Sequence, residues 1–383
     1  MKVMKITAVL CAAVLVSSAA FASGEYTATA FTLSNDADNY MDVNNWQTVK
    51  MQNLFTTMQL ENSTLDFGAA KYFGKNYFGV SYEGNLWTND ASFNDLNFLF
   101  GMRDMGFKAG FSWDTDSVEN TVTIRPYLEW GYNFKAGKMP AALDVYGSLD
   151  FVNTHVSETT TPVAGTTVTT TTSSTACVPV IGADLQLTLS QKDPLSQYVK
   201  FGYNGWFGNS ASGTTTVDMT IAGTTTTSSS SFSGSATTQF NTIYAQYSLT
   251  AKLDPNFTYG GRIRVPFMFY TDSNNSDNNS TTITFAVDNG IQGYIVPKKF
   301  ALDAGLATLL PAIYFEKDNN HTGSLSNTLY LGFTWNLAPT FTIEAANEFV
   351  HTNVGTGTTH TSVEPSISDF WNEQFTISAM ARF

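Results

Sequence analysis

Side chains suited to nucleophilic or transition-metal chemistry are few in this sequence: His155, His321, His351 and His360, with Cys11 and Cys177. They are scattered, with no H-E-x-x-H, no close His/Cys ligand spacing, no G-x-S-x-G elbow and no phosphate-cradling glycine loop. His351 follows Glu348 by three residues, a pair a hydrolase could use, but nothing places a nucleophile beside it. Residues 274–280, with Asp272 and Asp277, offer oxygen ligands to a divalent cation. They lack the glycine and terminal glutamate of a dedicated calcium loop. No enzymatic activity, metal or cofactor is expected.

The chemistry the sequence does carry is charge at alternate positions. Glu83, Asp95, Lys108, Arg125, Glu129, Asp144, Asp150, Asp184, Lys200, Arg262, Arg264, Asp288, Asp303, Glu344 and Glu348 each interrupt a run in which every second residue is apolar. Residues 121–132 show the pattern: Val122, Ile124, Pro126, Leu128, Trp130 and Tyr132 on one face, Thr121, Thr123, Arg125, Tyr127, Glu129 and Gly131 on the other. Successive side chains of a strand point to opposite faces, so such segments are strands with one apolar and one polar, charged face. Val199, Phe201, Tyr203 and Phe207 repeat the pattern, as do Ile263, Val265, Phe267 and Phe269 against Arg262 and Arg264.

Fifteen such segments begin near residues 65, 77, 95, 106, 121, 141, 178, 197, 239, 257, 281, 299, 326, 341 and 371, and a sixteenth falls between 25 and 60. Connections alternate between short turns, such as Gly74-Lys75-Asn76 and Asp254-Pro255-Asn256, and long ones, such as residues 153–176 and 209–237. Two long connections are compositionally simple. Residues 157–176 hold 13 Ser/Thr among 20, and residues 224–231 are eight hydroxyl residues in a row. They are expected as solvated loops or extended hairpin tips, near 154–177 and 209–237.

Composition narrows the class. Charged residues are 13% of the chain, aromatics 14%, and acids outnumber bases 32 to 19 for a net charge of −13. Soluble domains carry about 25% charged residues, and a nucleic-acid binder needs a basic footprint, so no nucleic-acid partner is expected. Lys2 and Lys5 precede an apolar run over 6–22 that ends Ala20-Phe21-Ala22. This reads as a secretory signal peptide cleaved after residue 22, which removes Cys11 and leaves Cys177 without a disulfide partner. Elsewhere no run approaches the 18 apolar residues of a membrane helix.

A soluble β-sandwich also alternates. Three features favour a barrel in a membrane over residues 23–383. The apolar face carries aromatics toward its ends, Phe73, Tyr77, Trp87, Trp113, Tyr132, Phe134, Trp335, Phe341 and Trp371, as interfacial girdles do. Short turns gather at one end and long polar segments at the other. The charged face is too polar for a dry core, and within lipid the sheet must close to pair its backbone. The expected architecture is all-β: one closed antiparallel transmembrane barrel of about 16 strands.

The chain finishes Phe375-Thr376-Ile377-Ser378-Ala379-Met380-Ala381-Arg382-Phe383. This is similar to the last strand of bacterial outer-membrane β-barrel proteins, and the wider pattern resembles porin-like barrels; the leader has a spirochaetal, treponemal cast. The resemblance implies Phe375, Ile377 and Phe383 as a membrane-insertion signature read by the barrel-assembly machinery. It also implies outer-membrane lipid and small hydrophilic solutes or ions as partners, with a homo-oligomer left open. The third long connection, 115–120, is too short to fold inward as in trimeric general porins, so a constriction must come from elsewhere. Ten acids against five bases on the inward list favour a weakly cation-preferring pore. The rivals are a surface adhesin or antigen displaying its Ser/Thr-rich segments, a hydrophobic-substrate transporter with an N-terminal plug from residues 23–63, and an exported soluble sandwich. The charged inner face speaks against the transporter.

Overall fold

The computed structural model describes residues 40–49, 55–61, 64–85, 91–116, 120–163, 166–221, 224–272, 279–310, 313–316, 320–322, 325–353 and 372–382. The expected leader, Trp87, Trp371, Phe383 and most of residues 274–280 lie outside them. The described chain is antiparallel sheet apart from a short internal segment, residues 40–49, with one 3-10 turn at Trp46–Thr48.

The strands are β1 (Phe55–Glu61), β2 (Thr64–Phe73), β3 (Asn76–Asn85), β4 (Ala91–Met102), β5 (Met105–Asp116), β6 (Thr121–Ala136), β7 (Met139–Val163), β8 (Thr166–Lys192), β9 (Leu195–Ile221) and β10 (Thr224–Lys252). They continue as β11 (Phe257–Asp272), β12 (Ser280–Ile283), β13 (Ala286–Val296), β14 (Phe300–Leu309), β15 (Ile313–Glu316), β16 (Asn320–Thr322), β17 (Leu325–Ala338), β18 (Phe341–Asn353) and β19 (Asn372–Arg382). Wall strands pair with their sequence neighbours except where the wall is interrupted, β11 also pairing with β13, β12 with β15 and β14 with β17. β1 pairs with β2 on one edge and with β19 on the other, Phe55 opposite both Ala70 and Arg382. The succession of pairings therefore returns to its start.

Nineteen segments stand among the described residues against about sixteen expected, because three wall positions are interrupted. β12 and β13 both pair with β11, and their register lapses opposite Pro266, which has no N–H to give the ladder. Pro311 falls between β14 and β15, and Gly323-Ser324 between β16 and β17. The tight ends are compact turns, with Gly74 (φ 65°) and Gly137 (φ 66°) in the left-handed conformation that a two-residue hairpin turn demands.

The two faces separate cleanly. Phe67, Phe98, Phe111, Ile181, Phe201, Ile243, Ile263, Leu302 and Leu331 are exposed on the outer face, and Leu128 reaches 69%. Ser81, Asn97, Ser112, Arg125, Asp184, Arg262 and Asp303 are buried on the inner one. So continuous an apolar exterior is foreign to a soluble monomer. Arg in place of Leu128 is expected to cost about 2–4 kcal/mol in lipid, since a cation at the bilayer midplane loses its hydration. Arg in place of Thr123 should be far milder, because that residue is inward and paired in register with Asp114. Equal losses in urea unfolding from vesicles would contradict a lipid-facing exterior.

Two expectations are revised. Of the solvated loops or extended hairpin tips expected for the Ser/Thr tracts, the structure holds the hairpins: residues 154–163 and 166–177 belong to β7 and β8, and 209–221 and 224–237 to β9 and β10. Threonine is β-branched and favours extended backbone. Hydroxyls also pair across the strands, Thr159 with Thr169 at 3.1 Å and Thr216 with Ser229 at 3.1 Å. A membrane strand needs about 9–11 residues, so these strands of 25 to 29 residues project a four-stranded paddle well beyond the wall. The second correction is Tyr77. It is buried on the inner face rather than standing in the outer aromatic belt.

Candidate functional site: the bore and its internal segment

Antiparallel register brings opposite charges together on the inner wall. Lys108 on β5 lies directly across from Glu129 on β6, Nζ to Oε2 at 3.0 Å. Arg125 Nε donates to Asp150 Oδ1 at 2.8 Å between β6 and β7. Lys200 on β9 reaches Asp184 Oδ2 on β8 at 2.9 Å. Arg262 on β11 pairs in register with Asp288 on β13, and its Nε donates to Oδ2 at 2.6 Å.

Tyr244 on β10 organises the basic arc. Its hydroxyl donates to Asp184 Oδ1 at 2.6 Å, and the Arg264 guanidinium stacks 3.7 Å from its ring centroid. The ring can lie flat because Gly202 is its cross-strand partner; a Cβ there would come within 2.1 Å of the ring.

The acids gather elsewhere. Asp66, Glu83 and Asp95 stand abreast on β2, β3 and β4, each opposite the next in register. Asp66 escaped the sequence reading, although Leu65 and Phe67 flank it as outward residues and mark it as inward. Asp114 was missed for the same reason. Counted round the ring of pairings, β3 and β11 are half a circuit apart. The acidic row and the Arg262/Arg264 pair thus occupy opposite arcs.

Of the other inward candidates, Asp144 has a buried Oδ1 and Glu344 a buried Oε1. Asp303 Oδ2 accepts from Thr334 Oγ1 at 3.2 Å. The side chains of Glu348 and Phe375 lie outside the description, while Ile377 is exposed on β19. In the aromatic belt, Trp113 is half-buried, and Tyr132 and Trp335 are exposed. Trp130, Tyr132 and Phe134 stack in a column at centroid separations of 6.1 and 5.7 Å.

Residues 40–49, part of the stretch that the transporter alternative assigns to an N-terminal plug, enter the bore at the tight-turn end. Asp42 Oδ1 accepts from the backbone N–H of Asn44 (2.7 Å) and Asn45 (2.8 Å), closing a turn that presents Tyr40, Val43 and Trp46 to the wall. These pack on Ala70, Tyr77, Leu99 and Met380. Tyr77 donates to Tyr40 O at 2.6 Å, Tyr72 to Trp46 O at 3.1 Å, and Asn133 Nδ2 to Asn44 O at 2.7 Å. Gln47 Nε2 donates to Arg103 O in the β4–β5 turn. The seat is a glycine row, Gly101 opposite Gly106 and Gly106 opposite Gly131. A Cβ on Gly106 would sit 2.2 Å from Val43 O, and one on Gly101 2.4 Å from the Trp46 ring.

Neither a protein-family model nor a curated protein matches the sequence. Among solved structures the chain is similar to the CymD monoaromatic hydrocarbon channel, at TM-score 0.42 and 10% identity over 93% of both chains. It is similar to the loop L8 deletion mutant of OmpT, an outer membrane protein of Vibrio cholerae, at TM-score 0.42 and 10% identity over 86% of this chain and 98% of that one. The P. putida toluene transporter TodX matches at TM-score 0.41 and 9% identity over 91% and 94%. None of these likenesses bears on the spirochaetal cast of the leader.

Proposed function

We propose that the chain is a bacterial outer-membrane channel, exported by its leader, through which small hydrophilic solutes or ions diffuse passively. One observation carries this reading: a ring of strands with an apolar exterior encloses a wall of charged side chains. Charges of that density suit a wet lumen, and the exterior suits lipid. The outer-membrane lipid and the barrel-assembly machinery are the partners this implies. The constriction is residues 40–49, a role the short connection at 115–120 cannot fill. An internal segment also suits a hydrophobic-substrate transporter, but the buried pairs Arg125–Asp150 and Arg262–Asp288 on the inner wall favour a polar solute.

Selectivity follows from which charges are neutralised. Lys108, Arg125, Lys200 and Arg262 each sit on a carboxylate, so most of the inward bases are held in pairs while acids outnumber bases on that face, Asp66, Glu83 and Asp95 standing side by side in one row. Fixed negative charge in a low-dielectric tube concentrates cations. Under a KCl gradient the purified protein in a planar bilayer should show a cation-selective reversal potential. The preference should fade toward 1 M salt, where the Debye length is about 3 Å. The triple change Asp66→Asn, Glu83→Gln, Asp95→Asn should reduce it. A clear anion preference at low salt would reject this account and assign selectivity to Arg264 and its neighbours. Absence of any conductance would reject the channel itself.

A further inference from the structure

The paddle is a four-stranded sheet in the order β7, β8, β9, β10. The wall strand β6 leaves β7 at the Thr121–Thr154 pair, and β11 leaves β10 at the Asp272–Thr238 pair. Beyond those points each outer strand pairs, among the described residues, only with its inner neighbour. Both outer edges therefore present a row of backbone N–H and C=O groups.

The two edges differ in how they are protected. Soluble and surface sheets blunt their edges with charge and proline, because a bare edge is a template for another strand. The β7 edge carries Glu158 and Pro162. The β10 edge, residues 224–236, reads Thr-Thr-Thr-Thr-Ser-Ser-Ser-Ser-Phe-Ser-Gly-Ser-Ala, with no charge and no proline. At about 3.4 Å per residue it runs roughly 44 Å.

We propose that this β10 edge docks on the same edge of a second copy of the chain. The two paddles would join antiparallel into one eight-stranded sheet. A backbone edge takes an extended strand, and this run is complementary to itself. A two-fold axis at Ser230 sets Thr224 opposite Ala236 and Thr226 opposite Gly234, with hydroxyl residues over most of the overlap. The β9–β10 hairpin already makes such contacts, Thr220 with Thr225 at 2.8 Å and Thr227 donating to Asp218 at 2.5 Å. Antiparallel strands related by a two-fold have their barrels at opposite ends of the joined sheet. The contact therefore links copies in apposed membranes rather than neighbours in one membrane. The membrane geometry rests on the channel reading; the strand pairing does not.

The test is clustering of vesicles reconstituted with the full chain, followed by turbidity and light scattering. Wild-type vesicles should cluster with each other and not with protein-free vesicles. The double variant Ser228→Lys/Ser230→Lys places like charges across the two-fold and should abolish clustering, as should Ser228→Glu/Ser230→Glu. Mixing the Lys vesicles with the Glu vesicles should restore it. Thr160→Lys on the β7 edge should leave clustering intact. Unitary conductance of each variant, equal to wild type, shows that the barrel has folded. No wild-type clustering, clustering with bare lipid, or no restoration on mixing would each overturn homotypic docking while leaving the channel reading untouched.

Discussion

Substituting leucine for Gly106 is expected to raise the unitary conductance several-fold. Gly106 lies under the backbone of the internal segment, where an added Cβ would meet Val43 O at 2.2 Å and Val43 Cα at 2.7 Å. These are backbone atoms that cannot swing aside, and they are tied down by Asn133 on Asn44 O and Tyr77 on Tyr40 O. The segment must leave its seat or the strand must bend. The strand is held on both sides, Gly101 and Gly131 lying across from Gly106, so the segment yields. Gly147→Ala is the control, because a Cβ there meets only Val180 O, at 3.4 Å. Displacement can be read separately from current. In a Cys177→Ser background, Val43→Cys should react with an impermeant thiol reagent only when Gly106 is also replaced. Displacement without a rise in conductance would show that residues 40–49 do not narrow the path.

Asp288→Ala is expected to destabilise the barrel by about 3–5 kcal/mol, the usual result of stripping one member from a buried pair. The Asp288 side chain is 2% exposed and that of Arg262 9%, so the guanidinium left behind has little water to turn to. Arg264, two residues along the same strand and the same face, adds like charge. The companion change Arg262→Met/Asp288→Leu removes both charges together and should recover most of the loss. Urea unfolding from vesicles, followed by gel mobility of the folded and unfolded forms, measures both. A loss below about 1 kcal/mol for Asp288→Ala is the behaviour of a solvated surface pair. It would mean that lumen water screens this site in spite of its burial.

The strand starts were legible because alternation is a local property. Each wall segment turns one apolar face outward, and that pattern is written residue by residue in pairs such as Leu128 beside Glu129 and Ile263 beside Arg264. Where the outward residue is weakly apolar the signal thins. β1, with Phe55-Thr56-Thr57-Met58-Gln59-Leu60-Glu61, could only be bracketed between 25 and 60. The Ser/Thr tracts gave no alternation at all, since hydroxyl residues stand on both faces. Their strand structure comes from hairpins already in register below them. Tyr77 misled for a different reason. An aromatic at a strand end is the mark of an interfacial belt, but here the internal segment covers it from within.

The sequence by itself determined the architecture and the character of the two faces, because period-two patterning and turn residues act over a few neighbours. It marked many of the inward charges by their alternation with apolar residues, though Asp66 and Asp114 went unremarked. Only the tertiary structure decided which charges meet, since Arg262 finds Asp288 and Asp184 finds Tyr244 through registers between strands 26 and 60 residues apart. It alone showed which part of residues 23–63 sits in the bore, residues 40–49, and on which wall strands. That segment has no periodicity of its own, and its seat is assembled from glycines on three different strands that become a single surface when the sheet is built.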